Sequence, residues 1–170
     1  MKHLQYGVLG FCFLAVACAG GGPNAPTSPS IAAGAGNAAT AATGGSELPF
    51  RGTLDATETE DGTLHHLVGS GNATHLGRFT LEANFTVDSA TATGSGTATW
   101  TAANGDQLFT TETGHAVVTF PTAAISETHT ITGGTGRFAD ASGSISIERS
   151  INLPTLVSSG SITGTINLGH

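Results

Sequence analysis

The sequence predicts an all-β domain of about eight antiparallel strands, and three observations carry that prediction. Apolar and polar residues alternate with period two over long stretches. No segment offers an i, i+3, i+4, i+7 apolar stripe, and glycines and Asx-Gly pairs punctuate the chain at short intervals. So many strands without covering helices must pack as a sandwich or close into a barrel to remove exposed edges, and spacing alone leaves both open.

Ahead of that domain the sequence divides into two appendages. Residues 1–17 have the form of a signal peptide, with Lys2 as a minimal positive region and an apolar run from Leu4 to Ala17 that is too short to cross a bilayer. The run ends Leu14-Ala15-Val16-Ala17-Cys18, which resembles the bacterial lipobox. That resemblance implies that Cys18 is acylated and becomes the N-terminus, anchoring the protein to a membrane through several acyl chains. Ala19, rather than Asp, after the cysteine implies sorting to the outer membrane. Ala15 stands where the pattern more often has Leu or Val. The alternative is an ordinary secretory signal cut near Ala17 or Ala19, leaving a soluble secreted or periplasmic protein. Residues 18–47 are almost entirely Gly, Ala, Pro, Ser, Thr and Asn, with Ile31 as the one large apolar residue before Leu48 apart from those of the signal. Such a segment buries too little surface to offset its ordering entropy and is read as a flexible tether.

Residues 48–170 form the globular part, with strand segments near 49–59, 63–69, 76–87, 95–103, 106–111, 114–120, 125–132, 144–152 and 160–167. The third is the cleanest: Phe79, Leu81, Ala83, Phe85 and Val87 share one face, and Arg78, Thr80, Glu82, Asn84 and Thr86 the other. Asp61-Gly62 joins the first two segments as a two-residue turn that would set Glu58 opposite His65. Asn104-Gly105 is a second such signal and would set Trp100 opposite Phe109 and Ala102 opposite Gln107.

Composition excludes several function classes. Five Lys and Arg face twelve Asp and Glu, a net charge of −7, and Lys2 is the only lysine. The clustered basic side chains that neutralise phosphates are missing, so no nucleic-acid partner is expected. Both cysteines, Cys12 and Cys18, precede the globular part, which therefore holds no disulfide and no thiolate metal site. His65 and His66 are adjacent and point to opposite faces of a strand. Glu112-x-x-His115 has helical spacing in strand-like sequence. No metal site assembles from these residues, and no cofactor is expected. Asp106, Glu112, Asp140 and Glu148 read as solvated or turn residues, and no Gly-x-Ser-x-Gly elbow is flanked by strand and helix.

The most specific segment is Gly133-Gly134-Thr135-Gly136-Arg137-Phe138-Ala139-Asp140-Ala141-Ser142-Gly143. A phosphate loop would need Lys-Ser/Thr after the glycines, and a dinucleotide fingerprint would need a helix there; neither follows. The segment reads instead as a wide turn with Phe138 as a plug at one end of the fold. It resembles the Gly-Gly-Thr-Gly-x-Phe/Tyr-Ala-x-Ala-x-Gly signature of the β-barrels shared by allene oxide cyclases and plant dirigent proteins. The resemblance implies a single antiparallel barrel, a small apolar or phenolic ligand inside it, and frequent homo-oligomerisation. It does not carry over an activity. The cyclase site is associated with a cysteine, absent from residues 48–170, and dirigent sites with tyrosines, whereas the only tyrosine here is Tyr6.

A hairpin turning near Phe138 would bring Glu127 opposite Arg149 and His129 opposite Ile147, three ionisable side chains on one apolar face. This cluster is either a set of polar groups that orient a ligand or move a proton, or a structural ion pair at the barrel rim. Phe79, Phe85, Trp100 and Phe109 are the candidates for lining a ligand cavity, or for filling it. The functional expectation is a lipid-anchored envelope barrel serving as a non-enzymatic binding or structural module. The alternative is a cyclase or isomerase acting on an apolar substrate within the barrel.

Overall fold

A computed structural model describes residues 46–169; the predicted signal peptide, Cys18 and nearly all of the predicted tether lie outside the described residues. Eight antiparallel strands follow one another: β1 (Leu48–Asp61), β2 (Leu64–Ala73), β3 (Gly77–Asp88), β4 (Thr93–Ala102), β5 (Gln107–Thr119), β6 (Thr122–Gly134), β7 (Ser142–Asn152) and β8 (Val157–Asn167). Each pairs with the next, and β1 pairs with β8 from Leu48↔Ile166 to Thr57↔Val157, closing the barrel. Closure removes both edges, which settles barrel against sandwich.

Alternation decides which residues enter the barrel. On β3, Phe79, Leu81 and Ala83 are buried and Phe85 is partly buried, while Arg78, Thr80, Glu82 and Asn84 are exposed. The predicted break between the fifth and sixth segments does not exist. Gly114 sits inside the continuous strand β5, opposite Gly94 of β4.

Two turns differ from expectation in ways that matter for the site. The β1–β2 hairpin turns on Gly62-Thr63, with Gly62 at φ +64°, so Glu58 is opposite Leu67 and Glu60 opposite His65. A two-residue shift preserves faces, and Glu58 still meets His65 diagonally. At the β4–β5 turn the loop has three residues, Ala103-Asn104-Gly105. The Gly105 N–H donates to the Ala102 carbonyl at 2.9 Å, and Gly105 adopts φ +89°. Trp100 is therefore opposite Leu108 and Thr101 opposite Gln107, not the pairs expected. This one-residue slip turns Phe109 to the outside.

The odd-to-even hairpins (β1–β2, β3–β4, β5–β6, β7–β8) cluster at one end, and the remaining connections close the other. The closed end holds a dense apolar core: Phe50, Leu76, Trp100, Leu108, Phe138, Ile145 and Ile166 are all fully buried. Burying a side chain of this size stabilises the fold by roughly 1.5–3 kcal/mol. Phe50 meets the Trp100 ring edge-on and Phe79 at a tilt, at 6.5 and 5.2 Å between centroids.

The glycine segment caps this end. A short 3-10 turn, η1 (Gly136–Phe138), inserts Phe138 into the core with no exposed surface, as the plug reading expects. Glycine is sterically required here: a Cβ on Gly134 would lie 2.1 Å from the Gln107 carbonyl oxygen, and one on Gly136, at φ +55°, 2.0 Å from Asp106 Oδ1.

Candidate functional site

The other half of the barrel is built differently. The inward positions of β4 and β5 include Gly94, Gly96 and Gly114, which place no side chain in the interior. Those of β1, β5, β6 and β7 include Glu58, Glu112, Glu127, His129 and Arg149. A cavity of about 240 Å³ opens toward the hairpin end. Phe85, Val87, Ala92, Ala116, Val118, Ala123, Ile125, Ile151 and Leu153 supply its apolar walls. Glu58, His65, Glu112, Glu127 and Arg149 lie on its polar side.

Arg149 organises the polar floor. Its Nε and Nη2 donate to Glu127 Oε1 at 3.0 and 2.7 Å, and its Nη1 donates to Glu58 Oε1 and, at 3.2 Å, to Ser158 Oγ. Glu58 in turn meets His65 Nδ1 at 3.3 Å. Burial opposes the charge on Arg149, but Glu127 and Glu58 outweigh it and hold the guanidinium above its ordinary pKa. Burial would likewise raise Glu127, yet His129 and Arg149 beside it lower it below the usual carboxylate value.

A second chain of contacts runs down from the cavity into the packed core. The Trp100 indole N–H can only donate, so Thr110 Oγ1 accepts it at 3.2 Å. Thr110 lies 3.1 Å from His129 Nδ1. When the imidazole is neutral and the Thr110 hydroxyl donates to Nδ1, the proton sits on Nε2, facing Glu112 Oε2 at 3.3 Å and Glu127 Oε2 at 4.0 Å. The contact with Glu112 is close enough for charge attraction but not aligned as a hydrogen bond. Glu112 Oε1 and His129 Nε2 are both buried without a hydrogen-bond partner.

Glu112 carries the consequence. Burial raises its pKa from 4.5 to about 7; His129 and Arg149 pull it down, while the charges of Glu127 and Glu58 push it further up. A carboxyl group that titrates near neutrality at the floor of an apolar cavity can exchange a proton or pair with a ligand donor.

The structure brings together Glu127, His129 and Arg149, although with the hairpin register shifted by two residues. Glu127 is opposite Ile147 and Ile125 opposite Arg149, so the ion pair is diagonal. Glu127 and Arg149 border the cavity, and His129 lies beneath it. Of the four aromatic candidates, Phe85 lines the cavity, while Phe79 and Trp100 belong to the packed half. Phe109 is corrected: it stands on the outer face, 36% exposed.

Glu112 is also corrected, from a solvated residue to a buried one, 7% exposed. The sequence does not point to Thr110 or Ser158, and it sets Glu58 opposite His65 without bringing it to Arg149. Parity was the available signal, because Glu112 and Thr110 share the face of Leu108, and Glu58 that of Phe50 and Leu54. The adjacent histidines do point apart: His65 faces Glu58, and His66 meets Glu82 on the outer face at 3.1 Å. Glu58, Glu60 and His65 converge closely enough to offer three ligand atoms to an ion. The guanidinium already bound to Glu58 opposes a second cation there, and the trio reads as an ion-pair group rather than a set of metal ligands.

No protein-family model, no curated protein and no solved structure matches this chain. The class that fold and site define is an eight-stranded antiparallel barrel with one packed half and one half hollowed over a buried ionic floor.

Proposed function

We propose that this protein is a lipid-anchored envelope barrel that binds a small, mostly apolar molecule in its hollow half without transforming it. One observation carries the reading: a cavity of about 240 Å³ with apolar walls over a floor of converging polar groups, which is how small-molecule sites are built. At its mouth Val118 of β5 lines the cavity and Phe120 of the β5–β6 turn is exposed beside it, an apolar rim along which a ligand can enter. Membership of the allene oxide cyclase and dirigent barrel superfamily is proposed on Gly133 to Gly143, and anchoring on Cys18 and the residues before it.

A second reading, a cyclase or isomerase, is favoured by one specific feature, the near-neutral titration of Glu112 at the cavity floor. Native mass spectrometry of the protein purified from its own host tests the binding reading, with Gly94→Leu as the control. A Cβ at Gly94 meets only van der Waals contacts, the Thr86 carbonyl oxygen at 3.4 Å, Val87 Cγ2 at 3.6 Å and Phe85 Cδ2 at 3.7 Å, so a side chain can be added there without a backbone clash. The expected result is a co-purifying small molecule that the variant loses while its melting temperature holds. A ligand retained by Gly94→Leu places binding elsewhere, and turnover of the captured molecule replaces the binding reading by the enzymatic one.

A further inference from the structure

The polar floor is rich in acceptors, and its one unpartnered donor, His129 Nε2, lies beneath the cavity and faces the Glu112 and Glu127 carboxylates, and this selects the chemistry of the ligand. Four carboxylates, Glu58, Glu60, Glu112 and Glu127, border the cavity against one guanidinium, so with Glu112 ionised and the imidazoles neutral its lining carries a formal charge of about −3. Arg149 commits donors on all three of its nitrogens to Glu127, Glu58 and Ser158. Little remains to receive an anionic head, and the surrounding carboxylates repel one. One acceptor is left over: Glu112 borders the cavity, is more than nine-tenths buried, and has an oxygen with no partner. A buried, unmatched acceptor beside a ligand space is a site waiting for a donor.

Resting on the binding reading above, we infer that the ligand is an apolar molecule with a protonated amine head, held by the Glu112 carboxylate. A cation there relieves the surplus of negative charge, satisfies the free oxygen and leaves the Arg149 network intact. The ionisable groups that border the cavity with Glu112 or lie beneath it are Glu58 and Glu60 of β1, His65 of β2, His115 of β5, Glu127 and His129 of β6 and Arg149 of β7. The inward residues nearest it on β3 and β4 are Phe85, Val87, Gly94 and Gly96, none of which titrates.

The test uses three probes with one body, 4-phenylbutylamine, 4-phenylbutanol and 4-phenylbutanoate, measured by calorimetry on the purified protein. A charge-assisted hydrogen bond implies about ten- to a hundred-fold tighter binding of the amine than of the acid, with the alcohol between them. Amine affinity should rise with pH up to about 7 and then level off as Glu112 loses its proton, while alcohol affinity stays flat. Glu112→Gln should abolish the preference for the amine and keep the binding of the alcohol. Acid binding as tight as amine binding, or an amine preference that survives Glu112→Gln, overturns the inference while the cavity reading stands. An alcohol that matches the amine at every pH overturns the charge requirement. Failure of all three probes to bind overturns the cavity reading itself, and this inference with it.

Discussion

The two halves of this barrel share the same strands, the same alternation and the same closure, yet they do opposite things. At the closed end the inward positions carry Phe50, Phe79, Trp100, Leu108, Ile145 and Ile166, and Phe138 seals the opening. Toward the hairpin end the same strands carry Glu58, Phe85, Gly94, Glu112 and Arg149. The first half fills its space with side chains that need no partner. The second leaves space beside charges that must be paired. A closed barrel can hold both because its backbone hydrogen bonds are satisfied all round, so one half need not be tightly packed for the sheet to persist.

Substitutions that cross this division should therefore separate stability from binding. The largest effect is expected from Trp100→Ala, which empties the packed half and removes the donor to Thr110. Chemical denaturation should record a loss of about 5 kcal/mol. Arg149→Met comes next, at about 4 kcal/mol, because Glu58 and Glu127 would be left buried without their shared partner. If Arg149→Met and Glu127→Gln shift the melting temperature but leave probe binding intact, the ion pair is structural and the ligand reads only Glu112.

Glu112→Gln should act in the opposite direction, and only above a certain pH. Glu112 holds its proton up to about pH 7 in the fold but releases it near 4.5 in the unfolded chain. The folded state therefore loses relative stability as pH rises from 4.5 through about 7, by roughly 3 kcal/mol in all. Glutamine resembles the neutral acid, so the variant should match the wild type near pH 4 and exceed it at pH 8. Equal melting temperatures at both pH values would show that Glu112 titrates normally. The smallest effect is expected from Phe109→Ser on the outer face, within about 0.5 kcal/mol, against a Leu108→Ala loss of about 2–5 kcal/mol one residue away. A large cost at Phe109 would mean that its face is covered by another molecule.

The candidate site was partly legible. Glu127, His129 and Arg149 share a parity with isoleucines on either side of one turn, and local pairing was enough to group them. Glu112 escaped because a lone glutamate among threonines has the composition of a solvated strand, and only its parity with Leu108 places it inside. Glu58 escaped for a different reason: it lies 91 residues from Arg149, and only closure of β1 on β8 brings them together. Phe109 went wrong through its turn. Asn104-Gly105 fits a two-residue loop as well as the three-residue loop that forms, and the choice shifts every downstream residue by one.

The sequence by itself determined most of the strands, the alternation that divides their residues between two faces, the plug at Phe138 and the grouping of Glu127, His129 and Arg149. These depend on period-two alternation and on turn chemistry, both local along the chain. Tertiary structure decided the closure, the register at each turn, the hollow beside Gly94 and the burial that pushes Glu112 toward neutrality. Those properties depend on which strands face each other across the barrel, and desolvation of a carboxyl group is set by all its neighbours at once.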